Sequence, residues 1–195
     1  MAGGDRLDRA AVISAAARLA DEEGVARLTL SRLARALDRH VASLYTHVDG
    51  IDGLYRQVAL LTQREIGDRL WQAAMGRSGA EAIMALAEAY REYVLRHPGR
   101  YEVLVRYHHP ADDDQFRANA QYVAEPIRAS LRSFGLGPAE VSSALQVFSA
   151  SIRGLCLNEA VGWHADKKGP EQALRQFVAL FTTGLTSGAW PVPQT

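Results

Sequence analysis

The stretch VASLYTHVDG, residues 41–50, decides how the rest of the chain is read. It sets Val41, Leu44, Tyr45 and Val48 at helical spacing and then stops at Asp49-Gly50. It is too polar for a helix buried all round and too apolar for a loop. An apolar stripe backed by hydroxyls and small groups describes a short helix packed on one side and open on the other. Leu44 and Val48 supply the inner face, and Ala42, Ser43, Thr46 and His47 the outer one.

Upstream, a helix is expected to start at Thr29. Leu30, Leu33, Ala34 and Leu37 follow the i, i+3, i+4, i+7 pattern, with Ser31, Arg32 and Arg35 on the other side. Asp38-Arg39-His40 breaks it. Before that, Val12, Ala16, Leu19 and Ala20 share one face of a helix from about Asp8 to Glu23. Asp8 is its expected N-cap and Gly24 its stop. Two short helices joined by a tight turn, behind a longer one, make a helix-turn-helix candidate, though the same pattern fits an ordinary three-helix corner with solvated arginines. As such a motif, its second short helix would have to fit a DNA major groove about 12 Å wide. Arg27, Arg32, Arg35 and Arg39 against Asp38 give this segment a local excess of positive charge. Thr29, at a helix start, adds free backbone N–H groups that suit a phosphate.

Downstream the pattern stays helical. Helices are expected from Ile51 to Met75, Glu81 to Arg96, Phe116 to Phe134 with a kink at Pro126, Ala139 to Trp163, and Glu171 to Leu185. Tyr101 to Tyr107 is a short apolar segment. Residues 108–114, 135–138 and 164–170 read as loops or turns, and 190–195 as a tail. No strand or repeat is visible. The expectation is an all-α chain of about nine helices, with a DNA-binding domain at 1–50 and a ligand-binding and dimerisation domain at 51–195.

Composition narrows the function. Lys+Arg and Asp+Glu are both 22, so bulk charge gives no argument for nucleic acid and only the local excess does. Lys167 and Lys168 are the only lysines; the other basic residues are arginine, which favours bidentate contacts to phosphate or carboxylate. One cysteine, Cys156, allows no internal disulfide. No signal peptide and no apolar run of about 18 residues is visible. The expected location is cytoplasmic, away from membranes.

Residues 10–60 resemble the DNA-binding domain of TetR-family transcriptional repressors. The likeness rests on AARLADEEG at 16–24, LTLSRLARAL at 28–37 and SLYTHV at 43–48. The resemblance implies an all-helical homodimer. Its N-terminal three helices would bind a palindromic double-stranded DNA operator, and its C-terminal helices a small molecule that releases the DNA. No cofactor is implied. Family contacts map onto Thr29, Val41, Ala42, Ser43, Tyr45, Thr46 and His47. Ser43, Tyr45 and His47 would hold phosphates, while Ala42 and Thr46 would face bases. Spacing alone turns Val41 and Tyr45 partly inward; the resemblance places them nearer the DNA.

Three departures stand out. Asp38 and Arg39 replace the family's usual Gly and apolar residue in the turn. Asp accepts a left-handed conformation less well than Gly but better than most residues. Arg39 must snorkel outward or reach the DNA. Asp49 and Asp52 stand near the start of the fourth helix, where the family often has Lys. Arg6, Arg9 and Arg39 are the candidates to replace that contact.

The C-terminal part resembles the family's regulatory half more loosely. Residues 147–162 are similar to its penultimate helix and, with the last helix, would form a four-helix dimer interface. Ala150, Gly154 and Ala160 allow close approach there. Phe148, Ile152, Leu155, Phe177, Phe181 and Leu185 are expected to supply the apolar area. The effector should be largely apolar. Its candidate contacts are Trp71, Met75, Tyr90, Tyr93, Tyr101, Val105, Tyr122, Phe148, Cys156 and Asn158, each of which also fits plain core packing. The alternative function is a metal-dependent enzyme using the His108/His109/Asp112-Asp114 loop. That loop matches no established ligand spacing, and the chain lacks a Gly-rich phosphate loop or a nucleophile motif.

Overall fold

The computed structural model describes residues 8–160, 162, 169–187 and 190. Among them are nine α-helices, one short 3₁₀ turn and no strand. The helices are α1 (Arg9–Glu23), α2 (Leu30–Ala36), α3 (Val41–Leu44), α4 (Gly50–Ala74) and α5 (Gly79–Arg96). They continue with α6 (Pro98–Arg106), α7 (Asp114–Arg132), α8 (Pro138–Ala160) and α9 (Gly169–Thr186). The 3₁₀ turn, Val25–Arg27, links α1 to α2. Arg6, Val161, Trp163, Lys167, Lys168 and residues 191–195 lie outside the described residues.

The contacts gather into two compact units. One takes the described residues of Met1–Gln63 together with His97–Arg117, and the other those of Arg64–Arg96 and Ala118–Thr195. The divisions fall inside α4, between α5 and α6, and inside α7.

The first unit is built on α1. Asp8 caps it, its side chain accepting from the Ala11 N–H at 2.7 Å, and Gly24 ends it at φ 83°. Val12, Ala16, Leu19 and Ala20 are buried, as their spacing required, against Leu28, Leu33, Leu44, Leu54 and Val58. The apolar segment expected at 101–107 is helical. α6 begins with Pro98 at a position where a missing N–H is harmless, and it sends Val103 into the same core. α6 also packs directly on α1. Gly99 makes this possible, since a Cβ there would fall on the backbone carbonyl of Ala20. Asp21 fixes the joint by accepting from the Arg100 N–H at 2.9 Å and Arg100 Nε at 2.8 Å, with His97 Nδ1 at 3.2 Å.

The second unit is centred on α5, α8 and α9, which all touch one another. Ile83, Leu86, Tyr90 and Val94 of α5 face Phe148, Ile152 and Cys156 of α8 and Leu174, Val178, Phe181 and Leu185 of α9. The Phe148 and Phe181 rings are 5.6 Å apart, and Trp190 meets Phe181 edge-on at 5.4 Å. Arg91 holds Glu159 through Nε at 2.6 Å and Nη2 at 2.5 Å, joining α5 to α8. α7 runs on through Pro126 as one helix.

This corrects the interface expected from sequence. Phe148, Ile152, Phe181 and Leu185 are at most 5% exposed and form the unit's own core. Val147, Leu157 and Leu180 are the exposed apolar side chains of α8 and α9, with Ala150, Gly154 and Ala160 also on the surface.

Candidate functional site

The α2–α3 corner is set by its caps. Thr29 is the N-cap of α2, extended at φ −124°, and its Oγ1 accepts from the Arg32 N–H at 3.1 Å. At the other end Asp38 takes φ 53°, the left-handed conformation its side chain tolerates. The Arg39 N–H then donates to Ala34 O at 2.9 Å and the Asp38 N–H to Arg35 O at 3.2 Å. These are the two bonds of a Schellman cap, here completed without glycine. Arg39 occupies the position where an apolar residue often packs back. It points outward instead, with Nη1 donating to Asp38 O at 3.0 Å.

α3 is shorter than the spacing predicts. Only Val41–Leu44 is α-helical, and turns carry the chain on to Val48. The Leu44 carbonyl accepts from both the His47 N–H at 2.9 Å and the Val48 N–H at 3.0 Å, which tightens the last turn. Inward and outward faces nevertheless fall as expected for most residues. Leu44 and Val48 are 0% and 4% exposed, while Ala42 and Thr46 face solvent. Ser43 and His47 are half-buried. Val41 packs partly against the core, whereas Tyr45 stands out at 59% exposure. Ser43 Oγ donates to His40 O and Thr46 Oγ1 to Ser43 O, both at 2.7 Å. Each hydroxyl is thus tied to the backbone and must rotate to donate to a phosphate.

Charge around the corner is more spent than the sequence suggests. Arg32 is paired with Glu23, whose carboxylate this contact holds below its ordinary pKa. Arg27, Arg35 and Arg39 remain exposed. Asp49 and Asp52 are exposed at the start of α4, where they complement the helix dipole but not a phosphate.

The loop after α6 is a structural joint. Asp113 is buried and accepts from Arg56 Nε at 2.8 Å, Arg56 Nη2 at 2.7 Å and the Phe116 N–H at 3.1 Å. Those donors, the guanidinium first, hold its carboxyl down at about 2. His109 stacks on Phe116 at 4.4 Å. Three of the five residues offered as metal ligands are therefore committed elsewhere, Asp113 to an arginine, Asp114 to Arg117 and His109 to a ring, while His108 and Asp112 are exposed. No group of three or more His, Cys, Asp or Glu side chains that could hold a metal occurs among the described residues.

The ten effector candidates do not gather at one place. Tyr101 and Val105 belong to the first unit, Tyr101 buried and Val105 half exposed. In the second unit Tyr90, Tyr93, Phe148 and Cys156 are core residues. Tyr93 donates to Glu65 at 2.6 Å, and burial pushes the Cys156 thiol up to about 12. Asn158 is exposed. Trp71 and Met75 alone line a cleft, a volume of about 330 Å³ between the end of α4 and α7. Tyr122 lies beside Trp71, its ring 6.3 Å away, and donates to Asp68 at 2.7 Å. The facing wall, Pro126, Ala129 and Ser130 of α7 with Ser133 in the turn after it, was missed. Its only signal was a run of small residues after a proline inside a helix.

Residues 83–181 match the family described as Tetracyclin repressor-like, C-terminal domain, which is half of the chain. The chain is also 33% identical over 157 residues to an HTH-type transcriptional regulator of Mycobacterium tuberculosis, covering 80% of this chain and 72% of that relative. The chain belongs to the TetR family. It is a helix-turn-helix transcriptional regulator and not an enzyme, and its all-α fold is that of the family. Solved structures agree on the fold. ActR of Streptomyces coelicolor in complex with (S)-DNPA superposes with a TM-score of 0.71 at 18% identity, covering 95% of this chain and 100% of that one. BioQ with its double-stranded DNA operator gives 0.67 at 23% identity, covering 93% and 99%. No helix among the regulator's described residues is long and apolar enough to cross a membrane.

Proposed function

We propose that this regulator is a cytoplasmic homodimeric repressor that binds a palindromic operator through residues 1–50 and is released by a small molecule held within residues 51–195. The observation that carries the reading is Tyr45, 59% exposed between the fully buried Leu44 and the nearly buried Val48. Leu44 and Val48 turn inward and hold the ring between them outward, where its hydroxyl can reach a phosphate. Ala42 and Thr46 beside it meet base edges, while Thr29, Arg39, Ser43, Tyr45 and His47 hold phosphates. Val41 contributes the part of its side chain that the core leaves uncovered. The operator named for BioQ and the ligand named for ActR support the same pair of partners here.

Dimerisation is assigned to α8 and α9. Val147, Leu157 and Leu180 form its apolar contact, and Ala150 and Gly154 let the helices approach. A two-fold protein matches a two-fold operator.

The test is fluorescence anisotropy with labelled DNA from upstream of the regulator's own gene, at fixed salt against a scrambled competitor. Saturable binding to the upstream DNA at a stoichiometry of one dimer per site is expected. Equal affinity for the scrambled sequence across the whole upstream region sinks the reading.

A further inference from the structure

We propose that the DNA-contacting surface of this regulator extends beyond residues 1–50. The groove between the first turns of α4 and the end of α6 takes a backbone phosphate of the duplex, with Arg106 and His108 as donors. The proposal rests on the operator reading for its partner and adds a second segment of chain to it.

The surface made by residues 1–50 ends on the wrong charge. Asp49 and Asp52 stand at the start of α4, directly after the recognition corner, and neither carboxylate can hold a phosphate. The structure brings cations to the same place from α6. Asp52, Tyr55 and Arg56 form one side of a groove of about 450 Å³, and Arg106, Tyr107 and His108 form the other. Neither Arg9 nor Arg39, the nearby arginines singled out from sequence, lines it. Asp52 is in the first turn of α4, so the groove begins where the corner ends.

α6 is carried rigidly with the corner. It packs on α1 through Gly99, and Val103 shares one core with Leu33, Leu44 and Leu54. α6 and the loop after it belong to the same compact unit as α1, α2 and α3. A phosphate bound at the end of α6 therefore fixes the position of the helix-turn-helix itself.

The two arginines of the groove differ in availability. Arg56 gives Nε and Nη2 to Asp113, and its charge is spent there. Arg106 meets Glu102 at 2.5 Å, one turn back on its own helix, with the two side chains 68% and 42% exposed. A pair so open to water is weak, and a phosphate offers the guanidinium a bidentate partner in its place. His108 is exposed beside it and has a ring N–H to donate in either protonation state. Tyr55 and Tyr107 contribute rings, their hydroxyls turned to Leu28 O and to Asp113. Asp52, exposed on the α4 side, opposes an anion, so its removal should strengthen the contact.

The experiment measures anisotropy of the full chain with labelled upstream duplex and with labelled scrambled duplex, over a series of salt concentrations. The logarithm of affinity falls linearly with that of salt, and each phosphate contact adds about 0.9 to the slope. Arg106→Ala should bind both duplexes about fivefold more weakly at low salt and make the slope shallower by about one. Arg106→Lys keeps the charge and should recover most of that slope. Asp52→Asn should bind about threefold more tightly. Arg96→Ala removes an exposed arginine of the other unit, paired to Glu92 in the same i,i+4 manner, and should bind as the parent does. Arg106 is exposed, so melting curves of its variants should match the parent and exclude unfolding as the cause. A parental slope in Arg106→Ala, a loss confined to the upstream duplex, or no recovery in Arg106→Lys overturns the proposal. The scrambled duplex reports phosphate contacts without any operator sequence, so failure here is distinct from failure of the operator reading.

Discussion

The α2–α3 corner and the α8–α9 pair are both made of helices with apolar stripes, yet the stripe fixes the orientation of only one of them. In the corner, the polar half of residues 29–48 is hydroxyls, arginines, histidines and Asp38. There is one way to bury Leu33, Leu44 and Val48 together, and the structure takes it. α8 is apolar almost all round, with Val147, Phe148, Ile152, Leu155, Cys156 and Leu157 spread over its surface. Several faces could go inward. The row Ala144, Phe148, Ile152, Cys156 does so because it meets α5 and α9, leaving Val147 and Leu157 outside. Amphipathic spacing decides an orientation only where the polar residues are numerous enough to veto the alternatives.

Four measurements bear on this difference. The largest effect is expected from Phe181→Ala. Phe181 is 5% exposed and touches the rings of Phe148, Phe177 and Trp190. Its loss should cost about 3–5 kcal/mol in urea unfolding; a near-neutral result would return this residue to the surface and undo the contrast.

Tyr45→Ala comes next and probes the other region. Operator affinity should fall roughly thirtyfold, about 2 kcal/mol, with an unchanged melting temperature. Loss of stability instead of affinity would mean that Tyr45 is part of the core.

Asp113→Asn tests whether the loop is a joint or a reactive site. The folded carboxyl titrates at about 2, below its ordinary 3.8. The unfolded chain therefore binds the proton first, and the stabilisation is fully present above about pH 4 and fades as pH falls through 2. The variant should be less stable by on the order of 1–2 kcal/mol at neutral pH, and the two stability curves should converge toward pH 2. A constant gap across that window would remove the Arg56 pair as the cause.

The smallest effect is expected from Leu180→Ala. Leu180 is the neighbour of Phe181 in sequence but 75% exposed. Chain stability should change by less than about 0.5 kcal/mol, while light scattering should show weaker self-association. A large loss of fold stability would show that Leu180 is buried in the chain's own core.

Some features were legible because local chemistry dictates them. Asp8, Gly24 and Thr29 cap helices in the way their side chains or lack of one require. Asp38 was recognisable as the turn residue, and its left-handed φ is the value a Schellman cap demands. Other features needed partners distant in sequence. Nothing near Asp113 announces Arg56, 57 residues earlier, so the sequence shows a polar loop, with metal ligation as the alternative, and not an ion pair. Gly99 looks like a helix stop after Pro98, but its use is to admit the backbone of Ala20. The effector candidates were chosen as apolar or aromatic residues on helices, a description that core residues such as Tyr93 and Phe148 share with the cleft residues Trp71 and Met75.

The sequence by itself determined the all-α class, most helix boundaries to within a few residues, the helix-turn-helix corner and which of its faces is buried. Those follow from periodicity, caps and turn residues, which act over four or five positions. Only the tertiary structure decided that α3 is a single turn, that α6 folds onto α1, that the aromatic residues of α8 and α9 serve their own unit, and that α7 supplies one wall of the Trp71 cleft. Each of these depends on which surfaces meet across long stretches of chain, and burial, unlike periodicity, is a property of the pair and not of either helix alone.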